Sequence, residues 1–117
     1  MDLKSAINDL NALVLEGKIF DAIERYYADE CVVLEKNEIV SRTKQEALDR
    51  EGSFMDGVEQ WLKSELKSTA VGDHVTMSEW HFEYKHRDMG HKAFDQVTVQ
   101  HWNDAGKILS ERYYALY

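Results

Sequence analysis

Apolar and polar positions alternate longest in the last third of the chain. From Thr76, the residues Thr76, Ser78, Trp80, Phe82 and Tyr84 alternate with Met77, Glu79, His81, Glu83 and Lys85. This period of two predicts a strand with its aromatics on one face. A second run, 93–103, carries Val97 and Val99 on one parity and Phe94, Gln96, Thr98, Gln100 and Trp102 on the other, so neither face is purely solvent. A third run, 108–117, follows an Asn103-Asp104-Ala105-Gly106 turn and is rich in aromatic and aliphatic residues, which predicts three consecutive antiparallel strands. Upstream, Leu62, Leu66 and Ala70 are set against Glu59, Lys63, Glu65 and Lys67. That pattern predicts a long strand from Val58 to Gly72-Asp73 with one wet face.

The first half reads as helical. Leu3, Ile7, Leu10 and Val14 fall at helical spacing, widened by Ala6 and Leu13, with Asp2 or Ser5 to cap the start and Gly17 to end the helix. A short second helix over 20–27 places Phe20, Ile23, Tyr26 and Tyr27 on one face. The tyrosine pair reads as core packing with hydroxyls reaching water. Cys31-Val32-Val33-Leu34-Glu35 and Ile39-Val40, separated by Lys36-Asn37-Glu38, predict a short hairpin. Thr43-Lys44-Gln45-Glu46 is a capping box that opens a helix to about Gly57. Its apolar face is Ala47, Leu48, Phe54, Met55 and Val58, and Glu51, inside that stripe, reads as a carboxylate reaching out at its edge.

Composition narrows the function. The 117 residues suit one domain, 1–117, with a modest core, and contain no proline and no linker. A formal net charge of −8 with scattered basic residues argues against a nucleic-acid partner. Cys31 stands alone, and Met1-Asp2-Leu3-Lys4 opens a charged amphipathic segment. The expected address is therefore a reducing cytoplasm. No apolar run approaches the roughly 18 to 20 residues of a membrane span.

His74, His81, His86, His91 and His101 lack metal-ligand spacing, so no metal and no cofactor are expected. Cys31, on a buried strand, reads as a packing residue, and no Gly-x-Gly pattern offers a phosphate loop.

The order of elements, helix, helix, hairpin, helix and four long strands, is that of an α+β chain with its helices on one face of a curved sheet. The segment Gly17-Lys18-Ile19-Phe20-Asp21-Ala22-Ile23, leading into Tyr27-Ala28-Asp29-Glu30-Cys31-Val32-Val33, resembles the opening of the nuclear transport factor 2-like superfamily, in its SnoaL-like and ketosteroid-isomerase-like branches. Gly106-Lys107-Ile108 with Arg112-Tyr113-Tyr114 resembles that superfamily's final turn and strand. The resemblance covers essentially the whole chain. It implies a cone-shaped half-barrel in which a curved mixed or antiparallel sheet wraps around three N-terminal helices and leaves a pocket at the open end.

The resemblance also implies site residues. Glu35 aligns with the carboxylate base of the ketosteroid-isomerase branch. That branch's two oxyanion donors, however, align with Leu10 and Thr98, which disfavours steroid isomerisation. The SnoaL-like alternative needs an acid/base carboxylate and a shaped pocket. The same alignment turns Ser78, Trp80, Phe82, Phe94, Gln96, Thr98, Gln100, Glu111 and Tyr113 inward, with Glu111 as a second candidate carboxylate. The neutral polar groups among them either contact a ligand or form an internal network. Glu35 is either a pocket base whose pKa is raised by Trp80, Phe82 and Tyr113, or a strand-end glutamate meeting water beside Lys36. The functions implied are cofactor-independent acid/base chemistry on a small hydrophobic carbonyl compound or, alternatively, a non-catalytic ligand-binding or dimerisation module. Met77, Val97 and Val99, on the opposite parity, imply a homodimer through the outer sheet face.

Overall fold

The structure is a computed structural model that describes residues 2–117, and Met1, at the head of the charged opening segment, lies outside them. Helix α1 (Leu3–Leu15) starts at Asp2, whose carboxylate accepts from the Ser5 backbone N–H at 3.2 Å and from the Ser5 hydroxyl at 2.7 Å. Gly17, at φ +77°, supplies the left-handed turn that ends it. Helix α2 (Ile19–Tyr26) follows, and strand β1 (Tyr27–Glu35) starts directly from it, earlier than the β-prone run at Cys31 suggests. Strand β2 (Glu38–Ser41) folds back on β1, with Glu38 opposite Glu35. Helix α3 (Lys44–Asp56) opens at Thr43, whose hydroxyl oxygen accepts from the Glu46 N–H at 3.1 Å, while the Glu46 carboxylate accepts from the Arg42 N–H at 2.8 Å.

Strands β3 (Val58–Val71), β4 (Val75–His86), β5 (Gly90–Trp102) and β6 (Ile108–Leu116) complete the chain. The sheet order is β2-β1-β6-β5-β4-β3, with β1 parallel to β6 and every other pair antiparallel. The last strand thus returns beside the first, and the sheet is mixed. It curls around the three helices without closing, which makes an α+β cone. The closed end is filled by Ile7, Leu10, Ile23, Cys31, Val33, Trp102 and Ile108. Each aliphatic side chain buried there is worth about 1.5–3 kcal/mol relative to exposure. No helix among the described residues is long and apolar enough to cross a membrane.

Strand β3 departs from the expected alternation. Its pairing with β4 shifts register at three places, between Val58 and Gln60, Trp61 and Lys63, and Leu66 and Ser68. Each shift lets two residues oppose one and inverts the parity beyond it. Leu66 consequently sits opposite Trp80 on the concave face, whereas Ala70 sits opposite Met77 on the convex face. The stripe Leu62, Leu66 and Ala70 is therefore not one face. Trp61 and Ser64, opposite Tyr84 and Phe82, are the β3 residues that line the cavity. Between β4 and β5 the register runs without a shift from Val75↔His101 to His86↔Gly90, so the aromatics of β4 do share one face.

Candidate active site

Cross-strand neighbours share a face, and register alone assembles the centre of the concave face. Thr76 lies opposite Gln100 and Gln100 opposite Glu111. In the next row Ser78 faces Thr98, Thr98 faces Tyr113, and Tyr113 faces Glu35 across the parallel pair. Tyr27 joins from the first residue of β1, and its hydroxyl donates to Glu111 Oε1, as does that of Tyr113. Gln100 Nε2 donates to Glu111 Oε2 at 2.7 Å, the Thr76 hydroxyl donates to Gln100 Oε1 at 2.8 Å, and Trp102 Nε1 donates to the Thr76 oxygen at 2.9 Å.

Glu111 is 3 % exposed, and every side chain that donates to it is neutral. Burial pushes the Tyr27 and Tyr113 hydroxyls well above the usual phenol range, and the Glu111 charge adds to the effect. Both tyrosines therefore stay protonated as donors. The expectation that the hydroxyls of Tyr26 and Tyr27 reach water fails for Tyr27. Because β1 begins at Tyr27, its ring shares strand parity with Cys31 and Val33 and enters the core. Tyr26 instead donates to Asp9 at 2.5 Å.

Glu51 comes from α3, on the face that also carries Ala47 and Phe54. Its carboxyl lines the cavity and has no hydrogen-bond or ion-pair partner among the described residues. Burial is the main cause that pushes it up to about 7; Arg50 opposes the shift and Glu111 adds to it. The reading of Glu51 as a carboxylate reaching out from the helix edge is thus overturned, because the curled sheet closes over that edge.

Glu35, at the end of β1, accepts from Arg50 Nη2 at 2.5 Å and from the Tyr117 hydroxyl at 3.4 Å, and its side chain is 32 % exposed. It lines the cavity from a partly exposed position and is held by a cation. The cavity between the helices and the concave face measures about 650 Å³, within the rough 300–1,000 Å³ of small-molecule sites. Glu35, Trp80, Phe82, Phe94, Gln96, Thr98, Gln100, Glu111 and Tyr113 all line it. Glu51, Tyr27, Asn11, Arg50, Phe54 and Trp61 line it too and were not read from the sequence as site residues. Its walls are stacked rings, Trp61 on Tyr84 at 5.1 Å and 19° and Trp80 on Phe82 at 5.3 Å and 15°.

The histidines lie apart from one another. His74 contacts Asp73 and Asp104, His81 contacts Asp95, His91 contacts Glu83, and His86 stacks on Phe54. No three potential metal ligands converge among the described residues. Burial pushes the Cys31 thiol up to about 12, which leaves it an unreactive packing group.

No family model matches this sequence, nor does any curated protein. Solved structures do match. A Mesorhizobium loti protein provisionally named a SnoaL-like polyketide cyclase superposes with a TM-score of 0.87 at 21% identity, over 97% of this chain and 99% of its own. A Xanthomonas campestris protein of unknown function with a cystatin-like fold gives 0.84 at 11% identity, over 100% of this chain and 92% of its own. A nuclear transport factor 2-like protein of unknown function from Burkholderia xenovorans gives 0.76 at 15% identity, over 97% of this chain and 81% of its own. The curled six-stranded sheet, the three helices beneath it and these superpositions together give this chain the nuclear transport factor 2-like fold, in the form seen in SnoaL-like structures.

Proposed function

We propose that this chain is an acid/base enzyme of the SnoaL-like kind that acts without a cofactor on a hydrophobic, carbonyl-bearing small molecule held in the cone. The naming of a structural neighbour as a polyketide cyclase supports the choice of a carbonyl compound. The observation that carries the reading is Glu51, an unpartnered carboxyl in an aromatic cavity, pushed up to about 7. Such a group is part ionised at neutrality, so it can both take and return a proton. In the proposed step the Glu51 carboxylate removes a proton from the carbon beside the carbonyl, and the electron pair of that bond moves onto the carbonyl oxygen. Thr98 accepts from Gln96 Nε2 at 3.3 Å, which leaves its own hydroxyl proton to meet the developing charge. Glu51 then returns the proton to another atom of the substrate, with no net oxidation. Glu111 takes no part in the transfer; it fixes Tyr113 and adds the negative charge that helps keep Glu51 protonated.

The test uses stability and titration together. The folded state holds the Glu51 proton more tightly than the unfolded chain, whose carboxyl keeps the ordinary value of 4.5. Stability therefore falls as pH rises from about 4.5 to about 7 and is level above. Glu51→Gln removes that loss. Urea denaturation should find the variant more stable than the parent at a pH above this window by about 2 kcal/mol, after allowance for water reaching a partly exposed carboxyl, and equal below it. Ring opening of a nitrobenzisoxazole, which needs only a desolvated base, should rise with pH through the same ionisation and vanish in Glu51→Gln. A Glu51 carboxyl carbon that titrates by NMR near the ordinary value of 4.5 overturns the proposal.

A further inference from the structure

Proton transfer leaves the charge balance of the cavity unused. Four carboxylates line it, Glu16, Glu35, Glu51 and Glu111, against one cation among the described residues, Arg50. Arg50 is committed to Glu35 at 2.5 Å, and at the rim Glu16 has Lys18 at 3.3 Å. Glu51 and Glu111 face the interior with no cation of their own. Low-dielectric walls strengthen the field of such groups and concentrate it in a cleft.

Hydrogen bonding points the same way. A carboxylate offers about four lone-pair sites, and Tyr27, Tyr113 and Gln100 occupy three of those on Glu111. Asn11, 2 % exposed, lines the same cavity. Its Nδ2 donates to Ser78 Oγ at 2.9 Å, while its Oδ1 is buried without a donor. A buried acceptor left without a donor is costly, and native structures leave few of them. Ionised Glu51 and the last site on Glu111 await a donor, and Asn11 Oδ1 is buried without one. The wall is rich in aromatic rings, Trp61, Tyr84, Trp80 and Phe82 among them, and an aromatic face is the apolar surface that best tolerates a cation.

We infer that the carbonyl compound this cavity holds is flat and aromatic and also bears a protonated amine, its ring between the aromatic walls and its N–H donors directed at Glu111 and Asn11, within the field of Glu51. The inference rests on the reading of the cavity as a small-molecule site and names the class that site selects. A carboxylate or phosphate of the same size meets two uncompensated carboxyl groups and an unpaired carbonyl oxygen. An ammonium beside Glu51 favours its ionised form, so binding of the amine releases a proton where Glu51 is protonated in the free protein. The other groups facing Glu51 are Arg50, which is bound to Glu35; Glu111, which is held by three neutral donors; and Tyr84 and Tyr113, which burial keeps neutral.

Three near-isosteric probes decide it: naphthylmethylamine, naphthylmethanol and naphthoic acid, titrated calorimetrically into the full chain above the Glu51 ionisation. The expected order is amine, alcohol, acid, with the amine at least about tenfold tighter than the alcohol. In Glu51→Gln, shown to be folded by a cooperative melt, the amine's affinity should fall toward that of the alcohol, and added salt should narrow the gap in the parent. Amine binding that is no tighter than alcohol binding, or acid binding as tight as the amine's, overturns the inference and leaves the cavity as a neutral-ligand site. Failure of all three probes to bind overturns both the inference and the small-molecule reading.

Discussion

The two faces of the sheet are built from the same strands, yet they solve the problem of polar side chains in opposite ways. On the convex face the polar groups pair at the water-facing surface: His81 and Lys67 with Asp95, His91 with Glu83, and Ser68 with Glu79. On the concave face they form one neutral chain, Trp102 to Thr76 to Gln100, that ends on the buried Glu111 with the two tyrosines. Water screens and competes for the first set, so each pair there is worth little. Nothing competes for the second, where every unmade bond costs its full desolvation. Adjacent positions on a strand thus differ in what a substitution does, according to parity alone.

The largest expected effect breaks the concave chain. Glu111→Ala would strand the hydroxyls of Tyr27 and Tyr113 and the amide of Gln100 without an acceptor, at a cost of about 3 kcal/mol in urea denaturation. The convex counterpart, Asp95→Ala, should leave the midpoint unchanged within error, although it removes the partner of both His81 and Lys67. Equal losses from the two substitutions would show that the faces do not differ in the way the hydrogen bonds imply.

The same contrast explains what could be read in the sequence. Parity on β4 and β5 was legible because their pairing has no bulge, while the choice of Trp80, Phe82, Phe94, Gln96, Thr98 and Gln100 as the inward set came from the family resemblance, and all of them line the cavity. Parity on β3 was not legible, because three register shifts break it, and the alternation gave no sign that Trp61 turns inward. Tyr27 carried a usable signal, its shared parity with Cys31, Val33 and Glu35, which becomes visible only when the strand is started where the helix stops. Glu51 carried the helical spacing of a core position. Its charge argued the other way, and only the curl of the sheet over α3 decides between them. Glu35 and Glu111 both point toward the concave side, yet the sequence could not show that Glu35 meets Arg50 and that Glu111 meets three neutral donors.

A second, smaller effect concerns what covers the convex face. Met77 lies opposite Val99, and Val97 lies opposite Tyr114, so four large apolar groups share that surface, Met77 being 45 % and Tyr114 47 % exposed. We propose that a second copy of the chain packs there. Light scattering at tens of micromolar should return twice the chain mass, and Met77→Glu with Tyr114→Glu should halve it while the low-concentration melt stays the same. A parent protein that already scatters as a monomer rules the pairing out.

The smallest expected effect lies at the rim, where the two faces meet, and it separates the two carboxylates that compete for the chemistry. Glu35 shares its charge with Arg50 across 2.5 Å, and the pair is partly exposed. Pairs of this kind contribute about 0.5 kcal/mol, so Glu35→Gln should shift the denaturation midpoint barely or not at all. The substitution keeps the shape of the side chain and frees Arg50 to move. If Glu51 is the proton-transfer group, nitrobenzisoxazole opening in Glu35→Gln keeps its kcat and its rise with pH, with any shift of the midpoint downward, because Arg50 already opposes the upward shift of Glu51 and a loosened Arg50 can bear on it more strongly. If Glu35 were the base, kcat would collapse and the pH profile would flatten, as they should in Glu51→Gln. The rim therefore behaves like the convex face in stability and bears on the concave face only through Arg50, and a kcat lost on Glu35→Gln with KM unchanged would reverse that assignment.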